Sequence, residues 1–167
     1  KDKVCLDIGA STGGFTDCML QNGAKKVFAV DVGYGQLDWQ LRNDERVINI
    51  EKTNFKNWDG EILKNEKIDF VSIDVSFISL KKIIPNLQNI LQDKEYFVVA
   101  LIKPQFEVGK EKIGKNGVVR NPDDRKEIVD NILKFLENIK YVILNFCESP
   151  IKGPAGNVEY LVYFRRA

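Results

Sequence analysis

Short apolar runs alternate with amphipathic stretches along the whole chain, and that alternation limits its fold more than any other feature. Residues 4–8, 26–32, 47–50, 68–74 and 96–103 read as strands. Helices are expected between them at 14–22, closed by Gly23, at 35–43, and at 80–91. Pro85 falls inside the last pattern, so a kink or a break into two pieces is expected there. A further helix is expected over 122–138, with Asn121 as N-cap and Pro122 at its first position. Alternating strands and helices build βαβ units and a doubly wound, mostly parallel sheet. The last two runs, 141–148 and 158–165, have only a Pro- and Gly-rich turn between them. That span is too short for a parallel crossover, so the two strands must pair antiparallel. The expected architecture is α/β and Rossmann-like, with seven strands and an antiparallel last one, and 167 residues suit a single domain.

Composition narrows the chemistry. The chain has no histidine, which excludes Ser-His-Asp and Cys-His machinery and any His-ligated metal. No Cys-x-x-Cys pair occurs either, so no metal site is expected. Cys5 and Cys147 lie in apolar runs and read as buried thiols of a reducing compartment, the cytoplasm. A net charge of +1 excludes polyanion binding through bulk charge but leaves room for a local basic patch. No apolar run approaches the ~18 residues of a membrane span, so no membrane partner is expected.

A glycine loop, DIGASTGG at 7–14, joins the first strand to the first helix. Gly9 permits a tight turn, while Gly13 and Gly14 allow backbone to approach a ligand at a helix N-terminus. Asp31 ends the second strand, where a carboxylate can accept from both hydroxyls of a ribose. The spacing departs from the G-x-G-x-x-G dinucleotide fingerprint, and no lysine follows as in a P-loop. Asp7, two residues before the first glycine, suits a cationic group such as the ammonium of a sulfonium amino acid. The favoured cofactor is therefore S-adenosylmethionine. Its candidate contacts are Asp7, Gly9, Ser11, Thr12, Gly13, Gly14, Phe15 and Thr16, followed by Asp31, Val32, Asn54 and Asp74 at later strand ends.

Ligands of open α/β sheets bind at the carboxyl ends of the strands. Asp74 and Lys103 end the fourth and fifth strands, and Glu159 begins the antiparallel seventh, so all three reach one rim. Methyl transfer needs an acceptor oxygen aligned with the methyl carbon. A lysine can take the hydroxyl proton or orient the hydroxyl as a cation, with carboxylates holding it. Asp74 is followed by Val-Ser-Phe rather than by the Pro-Pro of amino-methyltransferases, which favours oxygen as acceptor. Beyond Lys103, residues up to Arg120 read as a long basic loop on the same rim. Phe106 is a candidate to stack on a base, and Lys110, Lys112, Lys115 and Arg120 are candidates to position phosphates.

DIGASTGGFTDC, VDVGYGQL, SIDVSFISL, LIKPQFEVGK and SPIKGPAGNVEYL closely resemble hemolysin-A-like (TlyA) proteins, rRNA 2′-O-methyltransferases of the FtsJ-like group. The resemblance covers essentially the whole chain. It implies a class I S-adenosylmethionine-dependent methyltransferase sheet, a cytidine 2′-hydroxyl of ribosomal RNA as target, and a Lys-Asp-Lys-Glu tetrad. Asp74, Lys103 and Glu159 match the last three members. The family's first lysine, in an S-R-G-x-x-K-L-like stretch before the glycine loop, has no counterpart here. An N-terminal S4 RNA-binding domain is also absent, so the chain reads as a catalytic domain with weak or no activity alone but with retained cofactor binding. The family name carries a rival, a membrane-lytic hemolysin; a cofactor-binding module without activity is the other alternative.

Overall fold

Seven strands form one sheet in the order β3-β2-β1-β4-β5-β7-β6. They are β1 (Val4–Ile8), β2 (Lys26–Val30), β3 (Val47–Ile50), β4 (Phe70–Ile73), β5 (Phe97–Ile102), β6 (Tyr141–Glu148) and β7 (Tyr160–Arg166). This computed structural model describes residues 1–92 and 95–167. Strands β1 to β5 pair parallel, and β7 runs antiparallel between β5 and β6. The final pair is antiparallel, as its short turn requires. Insertion of β7 beside β5 is a long-range choice with no local signal. From β1 the chain winds outward to β3, then returns to β4 on the other side. The carboxyl ends of β1 and β4 therefore flank a switch point, where this class of sheet opens a crevice.

Helices α3 (Leu80–Ile90) and α5 (Pro122–Asn138) cover one face. There Leu6, Ile8, Val71, Ile73, Val98 and Phe164 pack with Ile84, Leu87, Ile132 and Leu136. On the other face Cys5, Val27 and Ala29 pack with Met19 and Leu20 of α1 (Gly14–Gln21) and Leu41 of α2 (Trp39–Arg42). The α5 bounds match the sequence reading because Asn121 Oδ1 caps the Asp123 amide and Pro122 opens the helix. Helix α3 runs through Pro85 as one element. The Lys81 carbonyl that loses its partner there belongs to an exposed residue and can turn to water.

Two expectations change, and one segment is newly described. Residues 103–120 hold a helical turn, α4 (Pro104–Glu107), and 3-10 turns at Lys110–Lys112 and Lys115–Gly117, rather than one unstructured loop. Cys147 is exposed, because it lies on the edge strand β6; only Cys5 is a buried thiol. Between β3 and β4 lie two further 3-10 turns, Phe55–Asn57 and Glu61–Leu63, which bury Phe55 and Leu63. Asn86 of α3 fixes the first by donating to the carbonyls of Phe55 (2.6 Å) and Trp58 (2.9 Å). Among the described residues no helix is long and apolar enough to cross a membrane.

Candidate active site

A cleft of about 500 Å³ opens at the carboxyl ends of β1, β2, β3 and β4. Gly9, Ser11, Asp31, Val32, Asn54, Phe55 and Asp74 contribute to its lining. Gly9 has φ +80°, and a β-carbon there would lie 2.1 Å from the Asp74 carbonyl oxygen. Only glycine lets the loop after β1 pass so close to the end of β4. Ser11, at φ 51°, donates its amide to Asp31 Oδ2 at 2.8 Å, and Gly33 donates to Oδ1 at 2.7 Å. Each carboxylate oxygen retains a lone pair for another donor. Asn54 borders the cleft and caps the turn after β3, its side-chain oxygen accepting from the Lys56 amide at 3.2 Å. Val32 is 71% exposed beside Asp31, an apolar wall on solvent.

The other loop residues named above do not line the cleft. Asp7 is fully buried and lies off the cleft. Its carboxylate accepts from Thr16 Oγ1 at 2.6 Å and Ser72 Oγ at 2.9 Å, so it ties α1 to β4 and cannot meet a ligand's ammonium directly. Burial pushes its pKa up to about 6, against the pull of both hydroxyls. Thr16 is committed to that bond. Phe15 packs on the opposite face of the sheet, beside Cys5 and Met19. Gly13 is wedged against Leu37 and Leu41, where a β-carbon would come within 2.2 Å, so its role is packing. Thr12 offers its carbonyl to the Asp38 amide at 3.0 Å. Gly14 is exposed with open space around it and does not border the cleft.

At the cleft's edge, Lys103 Nζ lies 2.5 Å from Asp74 Oδ1 and donates to Ser76 Oγ at 3.3 Å. The lysine side chain is only 13% exposed. The buried Oδ1 receives no directed hydrogen bond, and the ionic contact with Lys103 is what balances it. Glu159 is buried, and its Oε1 accepts from Gln105 Nε2 at 3.1 Å. Ile102 pairs with Tyr160, so the antiparallel register puts Glu159 across from Lys103 on the backbone. Gly153 leaves room for that carboxylate, since a β-carbon there would lie 2.5 Å from Oε1.

Phe77 is a feature that sequence reasoning missed. It is 91% exposed and has φ 63°, a conformation costly for a bulky residue. Its ring centroid lies 4.9 Å from that of Phe106. No local pattern announces a left-handed phenylalanine; only its exposure in three dimensions does. Of the basic candidates, Lys115 and Arg120 are exposed. Lys112 is instead bound by α5, with Glu127 at 2.7 Å and Asp124 at 3.3 Å. The Lys110 side chain lies outside the described residues.

Comparison with known proteins agrees with this geometry. The FtsJ-like methyltransferase family model matches residues 1–166. The chain is 44% identical over 161 residues to a 16S/23S rRNA (cytidine-2′-O)-methyltransferase, TlyA, of Mycobacterium tuberculosis, covering 96% of this chain and 59% of that protein. It is 46% identical to hemolysin A of Brachyspira hyodysenteriae, covering 98% of this chain and 68% of that one. A solved structure described as a hemolysin of Streptococcus thermophilus superposes with a TM-score of 0.94 at 47% identity, over 100% of this chain and 60% of that one. The chain spans between 58% and 68% of the length of the curated relatives it matches. Sheet order, glycine-loop cleft and near-full-length match agree: the chain belongs to the FtsJ-like methyltransferase family.

Proposed function

We propose that this chain binds S-adenosylmethionine in the cleft and methylates a ribose 2′-hydroxyl of ribosomal RNA, with cytidine as the target nucleotide. The observation that carries this reading is the Asp74–Lys103 ion pair at the edge of the cleft, whose lining also includes the exposed Phe77. The names of the Mycobacterium and Campylobacter jejuni relatives, both cytidine-2′-O-methyltransferases of rRNA, support the choice of acceptor.

The cleft fits the cofactor in size and chemistry. Asp31 has lone pairs for two ribose hydroxyls. Val32 and Phe55 offer apolar walls to an adenine, with Asn54 beside them, and Gly9 leaves room for close backbone approach. When bound, S-adenosylmethionine supplies an electrophilic methyl carbon. The acceptor is the protein's task. Lys103, fixed by Asp74 and Ser76, has donors left to hold the 2′-oxygen and to balance the charge that grows as its proton leaves. Oδ1 of Asp74 holds the Lys103 ammonium, and the carboxylate, 33% exposed at the cleft, offers its other oxygen as the nearby acceptor for that proton. Glu159, held by Gln105, stands across the backbone register from Lys103 as the third charged member of the site.

Phe77 and Phe106 form a platform for a base displaced from its stack. Lys115 and Arg120 are placed for phosphates, whereas Lys112 is already neutralised. With a net charge of +1 this domain has little bulk attraction for RNA, and most affinity is assigned to a separate S4-type unit acting on ribosomal subunits in the cytoplasm. The rival readings, a membrane-lytic protein or an inactive cofactor module, make no use of a buried ion pair on the rim. The test is to incubate the protein, with its native flanking sequence, with ribosomal subunits and methyl-labelled cofactor, then digest the RNA. Label on ribose supports the assignment; label on a base, or none, overturns it.

A further inference from the structure

The single helical turn α4 is too short to hold itself together. Yet Lys103 and the residues of this turn engage four separate parts of the site. Lys103 holds Asp74 and Ser76. Gln105 holds Glu159 at the start of β7. Phe106 meets Phe77. Glu107 reaches the start of α3, where Oε1 accepts from the Leu80 amide at 2.7 Å and Oε2 accepts from Ser79 Oγ at 2.5 Å.

The Glu107 contact is unusual in kind. Ser79 already caps α3 by accepting from the Lys81 amide at 3.1 Å. The Leu80 amide is one of the donors that a helix start leaves without an intrahelical partner. A carboxylate from a distant turn fills it, in a half-buried position favoured by the helix dipole. Residues 74–79, which carry Asp74, Ser76 and left-handed Phe77, are therefore fastened at both ends. The Asp74 amide donates to the Ile8 carbonyl at 2.9 Å at one end, and Glu107 grips Ser79 and Leu80 at the other. A strained residue such as Phe77 persists only where its surroundings over-determine it.

We propose that Glu107 is a positioning residue for methyl transfer: by capping α3 from across the site, it sets the Asp74–Phe77 segment against Lys103. The role in transfer rests on the function proposed above, but the tether itself does not. Glu107 lies outside the cofactor cleft, so its effect should appear in turnover and not in cofactor affinity. Burial raises its pKa, while the Leu80 amide and Ser79 hydroxyl pull it down.

The test compares Glu107→Ala and Glu107→Gln with the wild-type protein, native flanking sequence included, on ribosomal subunits. A glutamine keeps an oxygen for the Leu80 amide and can reverse the other bond by donating its side-chain N–H to Ser79 Oγ. Misplacement on the scale of an ångström predicts a loss of kcat of about tenfold to a hundredfold for the alanine variant. Cofactor Kd should stay within about twofold, and glutamine should restore most of the rate. Wild-type turnover in Glu107→Ala overturns the proposal. So does loss of cofactor affinity in step with kcat, which marks general unfolding. If the wild-type protein transfers no methyl group to ribose, the functional reading fails, and amide hydrogen exchange decides the tether alone. Faster exchange at Phe77 and Leu80 in Glu107→Ala supports it; unchanged exchange overturns it.

Discussion

Asp7→Asn should make the protein more stable at neutral pH, and the gain should vanish in acid. Asp7 is fully buried, with its two oxygens taken by Thr16 and Ser72. Burial lifts its pKa from 3.8 to about 6. The folded protein thus holds this proton more tightly than the unfolded chain does. The sign follows: the stability contribution is fullest below about pH 4 and is lost as pH rises through 6. At pH 8 the ionised carboxylate costs the fold about 3 kcal/mol relative to its neutral form. Asparagine has the same shape and no charge, and the two hydroxyls can rotate to suit it. Linkage predicts that the stability gap between variant and wild type grows by about 1 kcal/mol between pH 5 and pH 8. Urea unfolding of both proteins at several pH values measures it. A gap that is constant or shrinks with rising pH refutes the reasoning. Because Asp7 is shielded from the cleft, the same variant should weaken cofactor binding by less than about tenfold, a through-space effect.

Three further outcomes follow from the structure. Phe77→Gly removes a left-handed strain of about 1 kcal/mol, so thermal stability should hold or rise, while KM for ribosomal subunits should rise about tenfold from the lost stacking surface. Tyr141→Phe leaves the buried Tyr96 hydroxyl without its 2.6 Å partner and should cost about 1–3 kcal/mol by urea unfolding. The double Phe variant at 96 and 141 should cost less than the single one, because no polar group is then stranded. Gly9→Ala drives a methyl group into the Asp74 carbonyl and should abolish cofactor binding in a calorimetric titration before it unfolds the protein.

What the sequence made legible was set by short-range chemistry. Helix α5 declared its start through Asn121 and Pro122, and the closing hairpin followed from a turn too short for a crossover. Asp31 and Asp74 were legible as strand-end carboxylates, and both border the cleft. What stayed hidden shared one cause: a side chain's direction depends on partners far away in sequence. Asp7 points into α1 rather than along the sheet edge because Thr16 and Ser72 wait there. Lys112 reads as a free cation until α5 folds back with Glu127. Glu107 looks like one charge in a polar loop until α3 presents an amide that needs an acceptor. Phe77 is recognisable only from the folded chain, by its backbone angle and its exposure.

The central claim is that Lys103, paired with Asp74, carries transfer from outside the lining of the cofactor cleft. The most direct measurement is Lys103→Ala, read in two ways on one preparation: cofactor Kd by calorimetry, and methyl transfer to ribose in ribosomal subunits. The account predicts an unchanged Kd, within about threefold, and a fall in transfer of about a hundredfold or more. Transfer that survives the substitution, or a cofactor that no longer binds, contradicts it.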